Sequence, residues 1–480
     1  MHADVLIRGA QIVDGSGGAA YAGDVAVVGD RIAGVGALPD CSAGLVIEAT
    51  GLTVAPGFID VHTHDDWVVL DDPAMACKVT QGVTTVVAGN CGISAAPFAA
   101  REGLPAPFGI VPQVNDLSTS TVRAYAARVE EARPAVNVSL LVGHSTLRAG
   151  VMEDVDQPAT PEQIAVMAER LDEALSEGAV GLSSGLEYPA ATAAPPEEVI
   201  ALARVLAGHK GALYTTHVRD ESDHVEDAVA EALHIAEEAG VPLLLSHHKC
   251  AGIRNFGKSA KTLAMIDAAR SAVDVSLDVY PYTASSSALL PEFAEGAPEV
   301  LIIWSTPAPG MGGRMLDDVA TDWGVARDEA IARLQPAMAV YFDMDDADVD
   351  RILAHPAAMI GSDGIPGTIR PHPRLWGTFP RVLGHYVRDR ALLGLPQAIH
   401  KMTGMSAARF GLTDRGVIRS GLKADLTLFD ANTVIDRADY DHSERPSVGI
   451  AYVLVNGQVT LQNGTQTEAR AGRFLHRTGE

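Results

Sequence analysis

"GFIDVHTHDD", residues 57–66, sets two histidines one residue apart and follows them directly with Asp65 and Asp66. Side chains of a strand alternate between its faces, so positions i and i+2 point the same way. The apolar run through Phe58 and Ile59 reads as a strand, and His62 and His64 then leave its end in one direction. Two converging imidazoles suit a divalent metal, and a solvated surface strand has no use for them. The stretch therefore predicts a strand end at a metal site whose other ligands lie elsewhere in the chain.

Downstream the chain repeats one unit of helix, glycine and short apolar strand. Thr160, Pro161, Glu162 and Gln163 form a capping-box pattern with proline at the first helical position. Ile164, Met167, Leu171 and Leu175 mark one apolar helical face, and Gly178 stops it. The strand "AVGLSSG" (179–185) follows at once. Further helices lead into "ALYTTHVRD" (212–220), "VPLLLSHHK" (241–249) and "VDVSLDVYPY" (273–282). With "GFIDVHTH", "GVTTVVAGNCG" (82–92), "AVNVSLLVGHS" (135–145) and "AAMIGSDG" (357–364), eight strands alternate with helices. That rhythm predicts an α/β fold with a (β/α)8 TIM barrel over 56–414 rather than an open sheet. Residues 1–55 and 415–480 share a texture of short strands and turns, which predicts one small β-sandwich-like domain built from both ends. The stretch from about 283 to 345 exceeds an ordinary βα connection and reads as an inserted lid-like subdomain.

Composition narrows the function. The chain has 480 residues, 47% of them hydrophobic, enough to bury a substantial core. A net charge of −25 repels phosphate backbones and argues against a nucleic-acid partner. No glycine-rich phosphate loop is present. No apolar run reaches the ~20 residues of a membrane span, and no secretory signal stands at the start. Cys41, Cys77, Cys91 and Cys250 share no close spacing, which points away from a disulfide framework and towards a reduced, cytoplasmic setting.

Barrels of this kind keep their chemistry at the C-terminal ends of the strands. Those ends present, in order, His62 and His64, Cys91, His144, Glu187, His217, His247, Tyr280 and Asp363. A lone buried histidine is ordinarily a hydrogen-bonded structural residue, and a lone buried cysteine a small apolar one. An ordered series at matching points of successive units argues for ligands instead. Imidazole and thiolate suit zinc, with a carboxylate at a more open position. His62, His64 and Asp363 form one candidate set; Cys91, His217 and His247 form a second, with Cys91 able to bridge. Asp363 is then the natural general base for hydrolysis, taking the proton of water and delivering it to a leaving nitrogen.

These segments carry a resemblance. "APGFIDVHTHDD", "GVTTVVAGNCGIS", "VGHSTLR", "THVRDE", "SHHK", "DVYPY", "GSDG" and "RPHPRLWGTFPRVLGHY" resemble the amidohydrolase superfamily and, within it, the N-acyl-D-amino-acid deacylases. "GNCGIS" narrows the match, because most relatives bridge their metals with a carboxylated lysine and no lysine stands near "GLSSGLEYP". The resemblance implies a tight zinc at Cys91, His217 and His247 and a weaker one at His62, His64 and Asp363. It implies that Lys249, Tyr280, Ser286 and Arg374 grip the substrate's α-carboxylate, and that His144 touches substrate or supports the ligands. The implied activity is zinc-dependent hydrolysis of N-acyl-D-amino acids, with a small N-acylated amino acid as the partner. Two other readings stand beside it: a cyclic-amide or isoaspartyl dipeptide hydrolase on the same barrel, and a non-catalytic barrel scaffold. Glu187 departs from the resemblance, since relatives carry an aromatic residue there. A carboxylate entering the cleft would favour a basic or hydrogen-bond-donating substrate side chain; the plain alternative is a carboxylate turned to solvent or paired with an arginine.

Overall fold

The structure is a computed structural model that describes residues 1–98, 103–109, 119–368 and 370–477. The end of the expected 415–480 segment and parts of 56–414 lie outside the described residues. Eight parallel strands run in sequential order: β1 (Phe58–Asp60), β2 (Val83–Ala88), β3 (Asn137–Gly143), β4 (Gly181–Gly185), β5 (Leu213–His217), β6 (Leu243–Leu245), β7 (Val275–Val279) and β8 (Ala358–Ile360). All their residues are buried, as expected of parallel strands covered on both faces, which read as near-continuous apolar runs. A parallel bridge between Thr63 and Gly364 joins the chain after β1 to the chain after β8. That bridge brings the two ends of the sheet together at the level of His62 and Asp363.

The barrel interior is filled by Ile59, Val61, Val87, Leu141, Val180, Leu213, Leu244 and Met359, plugged from one end by Ala407, Phe410 and Leu412. The centre is thus a packed core, and chemistry is confined to the strand ends. The helix Pro161–Ser176 carries the expected capping box: the Thr160 hydroxyl accepts from the Gln163 N–H, and Gln163 Oε1 accepts from the Thr160 N–H at 2.8 Å. Its inner face, Met167, Leu171 and Leu175, is buried.

A nine-stranded sheet contains strands from both chain ends. Thr53–Pro56 is its seam, pairing antiparallel with Leu426–Phe429 and parallel with His2–Ile12. Between β7 and β8 a three-stranded sheet forms, with Ala337–Tyr341 central between Ser285–Ala288 and Val300–Ser305. Helices Leu316–Trp323 and Arg327–Leu334 close its own small core around Leu316, Ile331 and Leu334. Among the described residues no helix is long and apolar enough to cross a membrane.

Candidate active site

A cleft of about 720 Å³ opens at the C-terminal ends of the strands. Glu187, His217, His247, Lys249, Tyr280, Ser286 and Asp363 line it. His62, His64, Cys91 and Arg374 are not part of that wall but contact it. The Cys91 sulfur lies 3.2 Å from His62 Nε2 and 3.3 Å from His247 Nε2. Asp363 Oδ1 lies 3.2 Å from His64 Nε2 and 3.5 Å from His62 Nε2. Ligand atoms of His62, Cys91, His247 and Asp363 all fall within 4.8 Å of one another, and so do those of His217, Glu221 and His247.

Local backbone geometry is unusual here. Cys91, His247 and Asp363 have positive φ values of 52°, 34° and 49°. For residues other than glycine this conformation costs about 1–3 kcal/mol each and persists only where the surroundings impose it. The surroundings are visible. Asp66 accepts from the N–H groups of Gly89 and Ala95, clamping the loop on both sides of Cys91. Asp278 accepts from the His247 N–H at 2.9 Å while its other oxygen faces His62 Nδ1 at 3.3 Å. Buried Lys78 bonds to Asp60 and to Ser362 Oγ, and Asp60 accepts from the Ser362 N–H, fixing the residue before Asp363.

The electrostatics suit a cation. Burial pushes the Cys91 thiol up, but the His62 and His247 imidazoles overcome it and hold the thiol well below its ordinary range. Burial likewise opposes ionisation of Asp363, yet the Arg374 guanidinium, with His247, His64 and His62, keeps its carboxyl well below the usual carboxylate range. Arg374 Nη1 stands 2.9 Å from Asp363 Oδ2 and its guanidinium stacks 4.6 Å from the Tyr280 ring centre. Burial disfavours a charged His217, but Glu221, Cys91 and Glu187 raise it to about 10. Deprotonated thiolate and carboxylate crowd these imidazoles, and a divalent cation displaces protons from such a donor set. Among the described residues His217 Nδ1 is buried without a hydrogen-bond partner, so that nitrogen is open to an ion once its proton is displaced. The donors fit zinc: nitrogen, sulfur and one carboxylate.

The sequence model of the amidohydrolase family matches residues 45–308 and 320–461. This chain belongs to the amidohydrolase family. It is 47% identical over 475 residues to a D-aminoacylase of Alcaligenes xylosoxydans xylosoxydans, covering 99% of this chain and 98% of that one. An N-acyl-D-aspartate deacylase of the same organism is 47% identical over 474 residues, covering 98% and 95%. The crystal structure of N-acyl-D-glutamate deacylase from Bordetella bronchiseptica, complexed with zinc and a phosphonate mimic of the tetrahedral intermediate, superposes with TM-score 0.96. Its identity is 44%, with 99% of this chain and 100% of that chain covered.

In this amidohydrolase His144 stands outside the cleft wall and Glu187 stands in it. His144 does not reach the cleft. β3 runs straight into the helix His144–Val151, so His144 is its first residue and packs inward, Nε2 2.9 Å from Glu198, which also pairs with Arg148. Glu187 lines the cleft, mostly buried, and its carboxylate pairs with an imidazole, 2.7 Å from His217 Nε2. Sequence reasoning gave no role to Glu221, Asp278, Asp66 or Lys78. Asp278 had a signal, a lone carboxylate inside the buried strand "VSLDV". Glu221 had only its spacing of four residues after His217, which means nothing until the chain folds Lys249 onto it at 2.6 Å.

Proposed function

We propose that this amidohydrolase-family protein is a zinc-dependent hydrolase of N-acyl-D-amino acids, releasing a carboxylate and a free D-amino acid. The observation that carries the reading is the buried Cys91 sulfur between His62 and His247, with Asp363 facing His62 and His64. Near-full-length identity to a D-aminoacylase supports the substrate class and its D configuration. Cys91, His217 and His247 would hold a tight zinc, and His62, His64 and Asp363 a weaker one. Zinc bound there supplies a Lewis acid for the scissile carbonyl and lowers the pKa of water towards neutrality. Free, buried cysteines suit a reducing compartment, and we place the protein in the cytoplasm.

The chain's own residues supply the proton transfers and the grip on substrate. Asp363, kept ionised by Arg374, takes the proton of the attacking water and returns it to the leaving nitrogen as the C–N bond breaks. The α-carboxylate is received by donors that lack good partners. Among the described residues the Ser286 hydroxyl is buried without a partner, and the Tyr280 hydroxyl meets only the Met344 sulfur at 3.6 Å. Arg374 spends Nη2 on the Ser286 carbonyl and leaves Nε unbonded. Lys249, by contrast, is engaged by both Glu221 oxygens at 2.6 Å and would reach the carboxylate from the cleft wall as part of that ion pair.

The test of the reading is a panel of N-acetyl-D- and N-acetyl-L-amino acids alongside dihydrouracil and β-aspartyl dipeptides. Turnover is expected for the D series. Activity confined to the cyclic amides or β-aspartyl dipeptides would replace this reading with one of those. A second measurement separates the roles of Arg374. In Arg374→Ala, KM for N-acyl-D-amino acids should rise by roughly 10- to 100-fold, the loss of a charge-assisted contact worth about 1.5–3 kcal/mol. KM for the corresponding carboxamides should hardly move, while kcat falls for both because Asp363 loses its counter-ion. An equal rise in KM for acid and amide would remove Arg374 from the carboxylate site.

A further inference from the structure

We propose that Glu187 is a positioning residue for the zinc site: its carboxylate accepts the Nε2–H of His217 and so presents Nδ1 of that ring to the metal. The proposal rests on the assignment of Cys91, His217 and His247 given above. A neutral imidazole carries a single N–H, so the hydrogen bond made by one nitrogen decides which nitrogen is free to bind. Glu187 Oε2 lies 2.7 Å from His217 Nε2, and among the described residues His217 Nδ1 is buried with no hydrogen-bond partner. One nitrogen is therefore committed and the other available.

The two imidazoles beside Cys91 show the same provision. His62 turns Nε2 to the Cys91 sulfur and Nδ1 to Asp278 at 3.3 Å. His247 turns Nε2 to the sulfur and Nδ1 to Glu221 at 3.0 Å, where the Lys249 ammonium held by Glu221 also stands, 2.8 Å from the same nitrogen. Each ring has a carboxylate on the nitrogen away from the ligand cluster, an arrangement that fixes ring orientation and raises ligand basicity. His217 is the third member with the roles of its nitrogens exchanged, and Glu187 at 2.7 Å is its nearer carboxylate, Glu221 standing 3.6 Å from the same nitrogen.

Glu187 is itself held for the task. It follows β4 by two residues, and the intervening Leu186 donates its N–H to the His217 carbonyl at 3.1 Å. Its second oxygen faces the Glu221 N–H at 3.4 Å. Its side chain is only 15% exposed. The neighbouring Arg219 is engaged by Glu231 and by the Thr192 and Ala194 carbonyls, so it offers Glu187 no competing partner. A carboxylate committed to His217 is not free to select a substrate side chain, which revises the expectation that this residue sets a preference for basic substrates.

The experiment compares the parent with Glu187→Gln and Glu187→Phe as full-length zinc-loaded proteins. Zinc affinity is read by competition with a chromophoric chelator, and the Co2+-substituted proteins are compared by visible absorption. Glu187→Phe is expected to weaken zinc by roughly 10- to 100-fold, the usual effect of removing such a support. Glu187→Gln, whose amide oxygen still accepts the Nε2–H, should fall between Phe and parent, and being isosteric it keeps the test valid if Phe fails to fold. With zinc saturating, the ratio of kcat/KM for N-acetyl-D-lysine to that for N-acetyl-D-methionine should stay within about threefold of the parent. The proposal is overturned by a Phe variant that holds zinc within about twofold of the parent, by a Gln variant as weak as Phe, or by a larger shift in that ratio. Zinc retained by Cys91→Ala would instead overturn the underlying site assignment, so the two failures are distinguishable.

Discussion

Asp363→Asn is expected to lower kcat by about 10²–10⁴-fold while the protein keeps its tight zinc. The substitution preserves shape but removes the group that can take a proton from water and return it to nitrogen. Backbone strain does not confuse the result: Asp363 has φ 49°, a left-handed conformation that asparagine enters more readily than most residues. The cost to folding falls on Arg374, which loses its 2.9 Å carboxylate partner but keeps the Ser286 carbonyl and the Tyr280 ring. A lower melting temperature with kcat near the parent value would show that another group is the base. Loss of all zinc in this variant would mean that Asp363 belongs to the tight site.

The barrel was legible because its strands are buried on both faces, so "VTTVVA" and "LLL" read as strands without help from their neighbours. That His62, His64, Cys91, His217, His247 and Asp363 would gather at one end of the barrel was legible for a different reason: the fold fixes where a strand ends, and these side chains stand at those points. What could not be read is pairing across long sequence separations. Nothing local tells that Thr53–Pro56 lies beside Leu426–Phe429, or that Ala337–Tyr341 is the middle of its sheet. Side-chain direction was equally hidden where a strand passes straight into a helix. His144 looks equivalent to the other strand-end histidines in sequence, yet the helix that begins with it carries the ring towards Glu198. Carboxylates that serve other residues, such as Asp66 at the Cys91 loop, look like ordinary acids until their acceptors are seen bonded to Gly89 and Ala95.

Cys91→Ala should strip zinc from the protein with little damage to the fold. The sulfur is the softest donor in the cluster and lies within 3.3 Å of two imidazoles, so it contributes more than a hydrogen-bonded support would. The expected loss of affinity therefore exceeds the roughly 10- to 100-fold seen when an outer partner is removed. The loop has no freedom to bring a substitute ligand into place. Gly92, at φ 80°, lies so close to β4 that a Cβ there would meet the Gly185 nitrogen at 2.9 Å, and Asp66 clamps the loop from the other side. Alanine keeps the Cβ of the native residue, so the positive φ of position 91 is no harder to adopt than before. Elemental analysis after gel filtration gives zinc per chain for parent and variant, and a thermal melt of both without zinc checks the fold. Zinc content equal to the parent's would show that the ion is held elsewhere; a variant that melts like the zinc-free parent yet carries no zinc places the sulfur on the metal.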